Sequence, residues 1–250
     1  MSQLDLAMQS GFSARHVSFI ETGRTQPSRQ ALLVLAETLE VPLRDRNRLL
    51  EAGGYAHVYP QTPLAADEMS HIRGVLQFIL DRHQPYAAVV LDRYSNCLMG
   101  NGASERLIGG LVDPSLLTEH TNYLRATFHP LGARRHIVNW DEVSRHLLAR
   151  AERELGNAEN DQTAVALLAE IRGYGAPDSH RSATHVTAAD LLLPVHVQVN
   201  GVELRMFSTI MTLGTPKDVT LQELRIETFF PADAQSETAW TTLTATPPLA

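Results

Sequence analysis

Apolar positions in the first part of the chain recur at helical intervals, interrupted by Gly, Pro and small polar residues. Leu4, Leu6 and Ala7 predict the apolar face of one short helix, Gly11 a turn, and Ser13 the cap of a second helix whose Val17 and Ile20 face back toward the first. After Pro27-Ser28, the series Leu32, Leu33, Leu35, Ala36 and Leu39 marks a third helix, and Leu43, Leu49, Leu50 and Ala52 mark a fourth. Pro42 suits that helix's first turn, where its missing N–H costs nothing. Two short helices at a sharp corner have helix-turn-helix spacing, in which the second stands proud enough to enter a DNA major groove. Gly53-Gly54-Tyr55, Tyr59-Pro60 and Pro63 end the helical run and place a boundary near residue 57. Residues 58–84 read as a linker and a connecting helix from Asp67, with Ile72, Val75, Leu76 and Ile79 as its stripe.

Beyond residue 85 the period changes. Pro85 to Asp92 is a short apolar run that predicts a buried strand, Asn96 to Met99 a second strand, and Ala103 to Ile108 a short helix, while Pro114 to Ile137 shows no clear period. Asn139 with Glu142 predicts a capping box for a helix with the stripe Val143, Leu147, Ala151 and Leu155; Asp161 opens another with Ala164, Leu167, Leu168 and Ile171. Val195 to Val199 and Val202 to Met206 alternate around Asn200-Gly201, a strong two-residue hairpin signal. That turn pairs Val199 with Val202, Val197 with Leu204 and Val195 with Met206, putting six apolar side chains on one face and His196, Gln198, Glu203 and Arg205 on the other. Thr215 to Asp218 predicts a turn into a last strand where Leu224, Ile226 and Thr228 alternate with Arg225 and Glu227. The reading is α+β: an all-α N-terminal domain over 1–57, then a domain with an antiparallel sheet over 85–233, then an Ala-, Thr- and Pro-rich tail over 234–250.

Composition narrows the function. Of the net charge of −7, residues 1–57 carry none, since six arginines offset six acids there. Such a segment binds DNA only if its arginines share a face. No apolar run reaches the ~20 residues of a membrane span, and the N-terminus lacks the basic and apolar regions of a signal peptide, so a cytoplasmic protein without a membrane partner is expected. The single cysteine, Cys97, excludes an internal disulfide framework and reads as a structural thiol. His180 and His185 are closely spaced but lack a carboxylate or cysteine pattern, and no nucleophile elbow, Walker loop or paired-glycine nucleotide fingerprint occurs. No enzyme activity, metal or cofactor is expected.

Ser2-Gln3, Leu6-Ala7, Gly11, Ser18 to Glu21, Gly23-Arg24 and Pro27-Ser28 resemble the phage-repressor (Cro/C1 or XRE) helix-turn-helix. Together with Glu51 to Tyr55, Pro85 to Arg93, Asn122 to Pro130, Arg135 to Asn139 and FSTIMTLGTPKDVTLQELRIETFFPAD (207–233), the chain resembles the MmyB-like transcription regulators. The resemblance implies a helix-turn-helix joined to a PAS-like ligand-binding domain, with a fatty acid or similar apolar molecule as the ligand class. The chain begins at the motif's own Ser-Gln, so the first helix of a five-helix domain is expected to be absent and DNA affinity weakened. A misplaced start codon and a truncation both account for that.

The resemblance also locates candidate residues. Gln3 would hold a phosphate at a helix N-terminus. Ser13, Ala14, Arg15 and Ser18 would lie on the outward face of the recognition helix, with Arg15 reading guanine and Ala14 near thymine methyls. Phe19 is either a further methyl contact or core. Thr22, Arg24 and Arg29 would clamp the backbone, and Glu21 would partner a neighbouring arginine. Candidate ligand walls are Val89, Leu107, Leu124, Phe128, Ile137, Trp140, Leu204 and Met206, and a ligand carboxylate would meet one of Arg125, His129, Arg135 or His136. The expected function is a homodimeric regulator that binds a double-stranded DNA operator and responds to a small apolar ligand. Two alternatives stand beside it: a lipid-binding protein with an inert helix-turn-helix, and a constitutive repressor whose second domain only dimerises.

Overall fold

Ser2 opens the first helix by a reciprocal pair: its hydroxyl accepts from the Asp5 N–H while the Asp5 carboxylate accepts from the Ser2 N–H. This helix, α1 (Gln3–Ser10), stops at Gly11, whose φ of 73° a side chain would disfavour. Ser13 caps α2 (Ala14–Glu21) and Ser28 caps α3 (Arg29–Thr38); α4 (Leu43–Ala52) follows Pro42, which has no capping side chain. In this computed structural model, which describes residues 1–155, 161–175 and 194–245, α5 (Ser70–Arg82) leads to β1 (Ala88–Leu91), β2 (Cys97–Gly100), α6 (Gly102–Leu111) and α7 (Tyr123–Phe128). Then come α8 (Trp140–Leu155), α9 (Gln162–Gly173), β3 (Val195–Val199), β4 (Val202–Met211), α10 (Val219–Glu223), β5 (Arg225–Pro231) and α11 (Ala234–Ala245).

Contacts divide the chain into two units, Met1–Met69 with Leu213–Glu223 and Ser70–Thr212 with Leu224–Ala250. The first is helical. Leu6, Ala7, Val17 and Leu35 form its buried cluster, with Phe12, Ala14 and Ile20 packed against it. Leu4 was expected on that buried face and is instead 59% exposed, stacked one turn from the equally outward Met8. Leu39 and Leu49 likewise face out, because the apolar stripes of α3 and α4 are narrower than their leucine content suggests.

The second unit is a five-stranded antiparallel sheet of order β2-β1-β5-β4-β3 with helices packed on it, the α+β domain that the pattern predicts. The hairpin has the predicted register, Val199 opposite Val202, Val197 opposite Leu204 and Val195 opposite Met206. Asn200 and Gly201 take φ of 50° and 80°, as a tight two-residue turn requires. The connecting helix buries Leu76 and Leu80, whereas Val75 from the expected stripe is exposed.

Four further expectations change. Asn139 and Glu142 do meet, the Asn139 amide nitrogen donating to the Glu142 carboxylate at 3.2 Å, but not as a capping box. The amide oxygen accepts from the His196 N–H at 3.0 Å and the nitrogen also donates to the Pro194 carbonyl at 2.8 Å, so Asn139 ties α8 to β3. The aperiodic stretch 114–137 holds α7, capped by Asn122, between two single 3-10 turns at Pro114–Leu116 and Ala133–His136. The C-terminal residues form α11, anchored by the buried Trp240, whose indole N–H donates to the Pro85 carbonyl at 3.0 Å. Finally, Thr215 to Asp218 leads into α10, in the first unit, before β5 begins.

Candidate DNA interface and ligand cavity

In the first unit, α2 presents Arg15 outward while Val17 anchors its opposite side in the core. The Arg15 guanidinium lies 5.1 Å from the centroid of the Phe19 ring, and Arg24 lies 5.8 Å from the same ring. Phe19 is half-buried, so it serves as a platform from which two cations project. Ser13 is committed to capping, accepting from the His16 N–H at 3.1 Å, and its own hydroxyl proton can still be donated. The Thr22 hydroxyl donates to the Ser18 carbonyl at 2.7 Å. Arg29 stands exposed in the first turn of α3, and Ala14 packs against the core cluster.

Two of the expected roles meet competition. Gln3 donates its side-chain amide to Glu21, so Glu21 partners Gln3 in place of an arginine. At the N-terminus of α1, where a phosphate was expected, the Asp5 carboxylate already occupies the position and is held below its ordinary pKa by hydrogen bonds from Ser2. Arg15, Arg24 and Arg29 remain as outward-facing cations, the kind of side chain that a phosphodiester attracts.

In the second unit, a cavity of about 160 Å³ lies between one face of the sheet and α6, α7 and α8. Residues directly opposite on antiparallel strands share a face. Val89 opposes Glu227, and Leu91 opposes Arg225, so β5 directs its polar set toward the cavity side. The predicted alternation of β5 is present, and because β5 lies inside the sheet, Ile226 and Thr228 are buried on the face opposite the cavity. The six apolar hairpin residues share the cavity side, where Val195, Val197 and Met206 reach the lining.

Of the candidate walls, Leu107, Leu124, Ile137 and Met206 line the cavity. Val89 and Leu204 are fully enclosed core residues on the same side. Phe128 is fully buried in the cluster between α8 and α9 and meets Trp140 edge-on at 5.1 Å; Trp140 in turn lies under Arg134. None of the four candidate cations lines the cavity. Arg125 pairs with Glu170 at 2.8 Å, and His129 packs edge-on against Tyr174. Arg135 donates to His136, whose pKa is lowered first by burial and then by Arg135.

The cation at the cavity is Arg150, on α8. Its Nε lies 3.2 Å from Glu154, one turn further along, and its Nη atoms lie 3.5 and 3.4 Å from the two Glu227 oxygens. Burial opposes its charge, but Glu227 and then Glu154 outweigh that and raise its pKa. Glu154 also pairs with Arg225. A two-point guanidinium–carboxylate pair closes to about 2.7–2.9 Å when fully engaged, so the contact with Glu227 is loose. On another part of the wall is the enclosed Tyr123 hydroxyl, whose pKa is pushed up mainly by burial. Cys97 is half-buried, and burial drives its thiol up to about 11. Arg150 and Glu154 sit among the helical polar positions of α8 and are indistinguishable in sequence from solvated charges; the one available signal was Glu227 alternating within an apolar strand.

His180 and His185 lie outside the described residues. Among the described residues, no helix is long and apolar enough to cross a membrane.

Comparison with known families agrees with both halves of this description. A helix-turn-helix model matches residues 1–45, and the model of the MmyB-like transcription regulator ligand binding domain matches residues 72–243, more than half of the chain. No curated protein matches the chain. The polypeptide is a DNA-binding transcription regulator with a ligand-binding domain, and it belongs to the MmyB-like family.

Proposed function

We propose that this regulator is controlled by an amphiphile, a fatty acid, whose chain fills the cavity and whose carboxylate engages Arg150. The observation that carries the reading is a mainly apolar cavity holding a guanidinium only loosely paired with Glu227. An apolar chain gains free energy by leaving water, roughly 0.8 kcal/mol per buried CH2. A carboxylate gains a charge-assisted two-point pair there and avoids the cost of an unpaired buried charge. A void of about 160 Å³ resembles an engineered apolar cavity that accepts benzene, so a short to medium chain suits it best. The protein acts without catalysis, as a cytoplasmic homodimer on a double-stranded operator, and the ligand shifts DNA affinity only through unequal affinity for DNA-competent and incompetent states.

Octanoate and 1-octanol share a chain length and differ in the head group. Octanoate is expected to raise the melting temperature more than octanol, and Arg150→Gln to abolish the difference. Equal stabilisation of the unmodified protein by both would overturn the Arg150 assignment. A salt-dependent footprint on the promoter beside its own gene tests the operator; protection identical on random DNA would remove that part of the reading.

A further inference from the structure

Between β4 and β5 the chain departs from the sheet, and Leu213–Glu223 is built into the helix-turn-helix unit. The insertion completes that unit's structure. Val219 is buried and donates its N–H to the Pro60 carbonyl at 2.8 Å, while the Asp218 carboxylate accepts from the Thr62 N–H at 3.0 Å. Pro42 gives α4 no capping side chain, and the Gln222 amide oxygen fills that role by accepting from the Leu43 N–H at 2.6 Å. Glu223 then grips Arg44, in the first turn of α4, through two hydrogen bonds of 2.6 and 2.8 Å. The helix N-terminus is thus capped by residues 179 positions away in sequence.

On leaving Glu223 the chain enters β5 at once. Arg225, its first residue, pairs with Glu154, and Glu227 is the loose partner of Arg150. The α4 cap and the cavity's charged cluster therefore lie on one short run of backbone, Gln222 to Glu227. A strand advances roughly 3.3 Å per residue and has little slack, so a displacement of its first residues passes along the chain to the preceding ones.

We propose that cavity occupancy is communicated to the helix-turn-helix through this run: displacing Glu227 from Arg150 repositions the start of β5 and loosens the Gln222–Glu223 cap on α4. The proposal rests on the reading that the cavity takes a carboxylate-bearing ligand. It differs from transmission through the two other covalent junctions, Met69–Ser70 into α5 and Thr212–Leu213 after β4. Coupling of this kind is reciprocal, so a change at α4 must also be felt at the cavity.

Hydrogen exchange on the full chain tests it in both directions. Octanoate, and separately Glu227→Gln without any ligand, are expected to speed exchange over residues 43–52 by about tenfold, within the usual span of allosteric coupling. Arg44→Gln is expected to speed exchange over 225–231 and 140–155 by a similar factor. In Glu223→Gln, or in the Gln222→Ala/Glu223→Ala double variant if it keeps its helical signal, octanoate should still alter 140–155 while 43–52 no longer responds. An undiminished response of 43–52 in those variants would overturn the route, as would a change of less than twofold over 225–231 in Arg44→Gln. If octanoate changes nothing over 140–155 in the unmodified protein, the ligand reading fails, and the Glu227→Gln and Arg44→Gln measurements still decide the coupling.

Discussion

The outward face of α2 and the cavity of the second unit are surfaces built in two different ways. On α2, Ser13, Arg15, Ser18 and Thr22 are presented by a single helix and its flanks, and one buried residue, Val17, sets which side faces out. The cavity draws on both ends of its sequence range: Ala87 before β1, Leu107 on α6, Leu124 on α7, Arg150 on α8, Met206 on β4 and Glu227 on β5 all meet there. The first surface has a local geometry that tolerates change elsewhere. The second exists only when the whole sheet and three helices are in place, so its stability and its specificity cannot be altered independently.

The largest effect should come from separating wall from core. Phe128 is fully buried away from the lining, and Phe128→Ala is expected to cost about 3–5 kcal/mol of stability in chemical denaturation. Leu107 faces space that is already empty, so Leu107→Ala should cost less, at the low end of the roughly 2–5 kcal/mol range, while changing which chain lengths bind. Equal costs, with unchanged ligand preference in Leu107→Ala, would erase the distinction between the two positions.

The next effect concerns two arginines that share one ring. Arg15→Ala should weaken specific DNA binding by about 1–3 kcal/mol and relax preference at one base position. Arg24→Ala should weaken all sequences alike and lower the slope of log K against log salt by about one. Binding titrations at several salt concentrations, on selected and random duplexes, distinguish them; identical behaviour would mean that Phe19 holds both cations for the same task.

The smallest effect uses Cys97, the only cysteine in the chain, as a reporter on the β2 edge of the sheet. With burial raising its pKa from 9.0 to about 11, little thiolate is present at pH 8. Alkylation there should be at least about tenfold slower in the folded than in the denatured protein and should accelerate as pH approaches 11. Rapid labelling at pH 8 would show that the β2 edge opens far more often than its hydrogen bonding suggests.

The two regions also differ in how far they can be read without coordinates. Ser13 followed by Val17 and Ile20 is a local statement, and the helix it specifies appears with those residues inward. The Asn200-Gly201 hairpin is equally local, and every predicted pair is present. Asn139 shows where this ends: its cap-like spacing to Glu142 is real, but a strand more than fifty residues later takes its amide. Among the proposed walls, Leu107, Leu124, Ile137 and Met206 reach the cavity while Phe128 and Leu204 do not, although all are apolar positions on predicted elements or near them. Hydrophobicity favours burial without guaranteeing it, as the exposed Leu4 and Leu39 show, and says nothing about whether a buried residue's neighbour is an atom or a void.

What the amino-acid order determined by itself is whatever depends on neighbours within a turn of helix or across a tight hairpin: the caps of α1 to α3, the period of the helices and the pairing of β3 with β4. Burial of a single stripe or face is enough to select these, because slipping the register exposes apolar area to water. Tertiary structure alone decided that β5 lies inside the sheet with Glu227 turned toward Arg150, and that Gln222 and Glu223 cap a helix near the other end of the chain. Such pairings join residues far apart in sequence, whose closure entropy is met by the packing of the whole unit, and no local period records them.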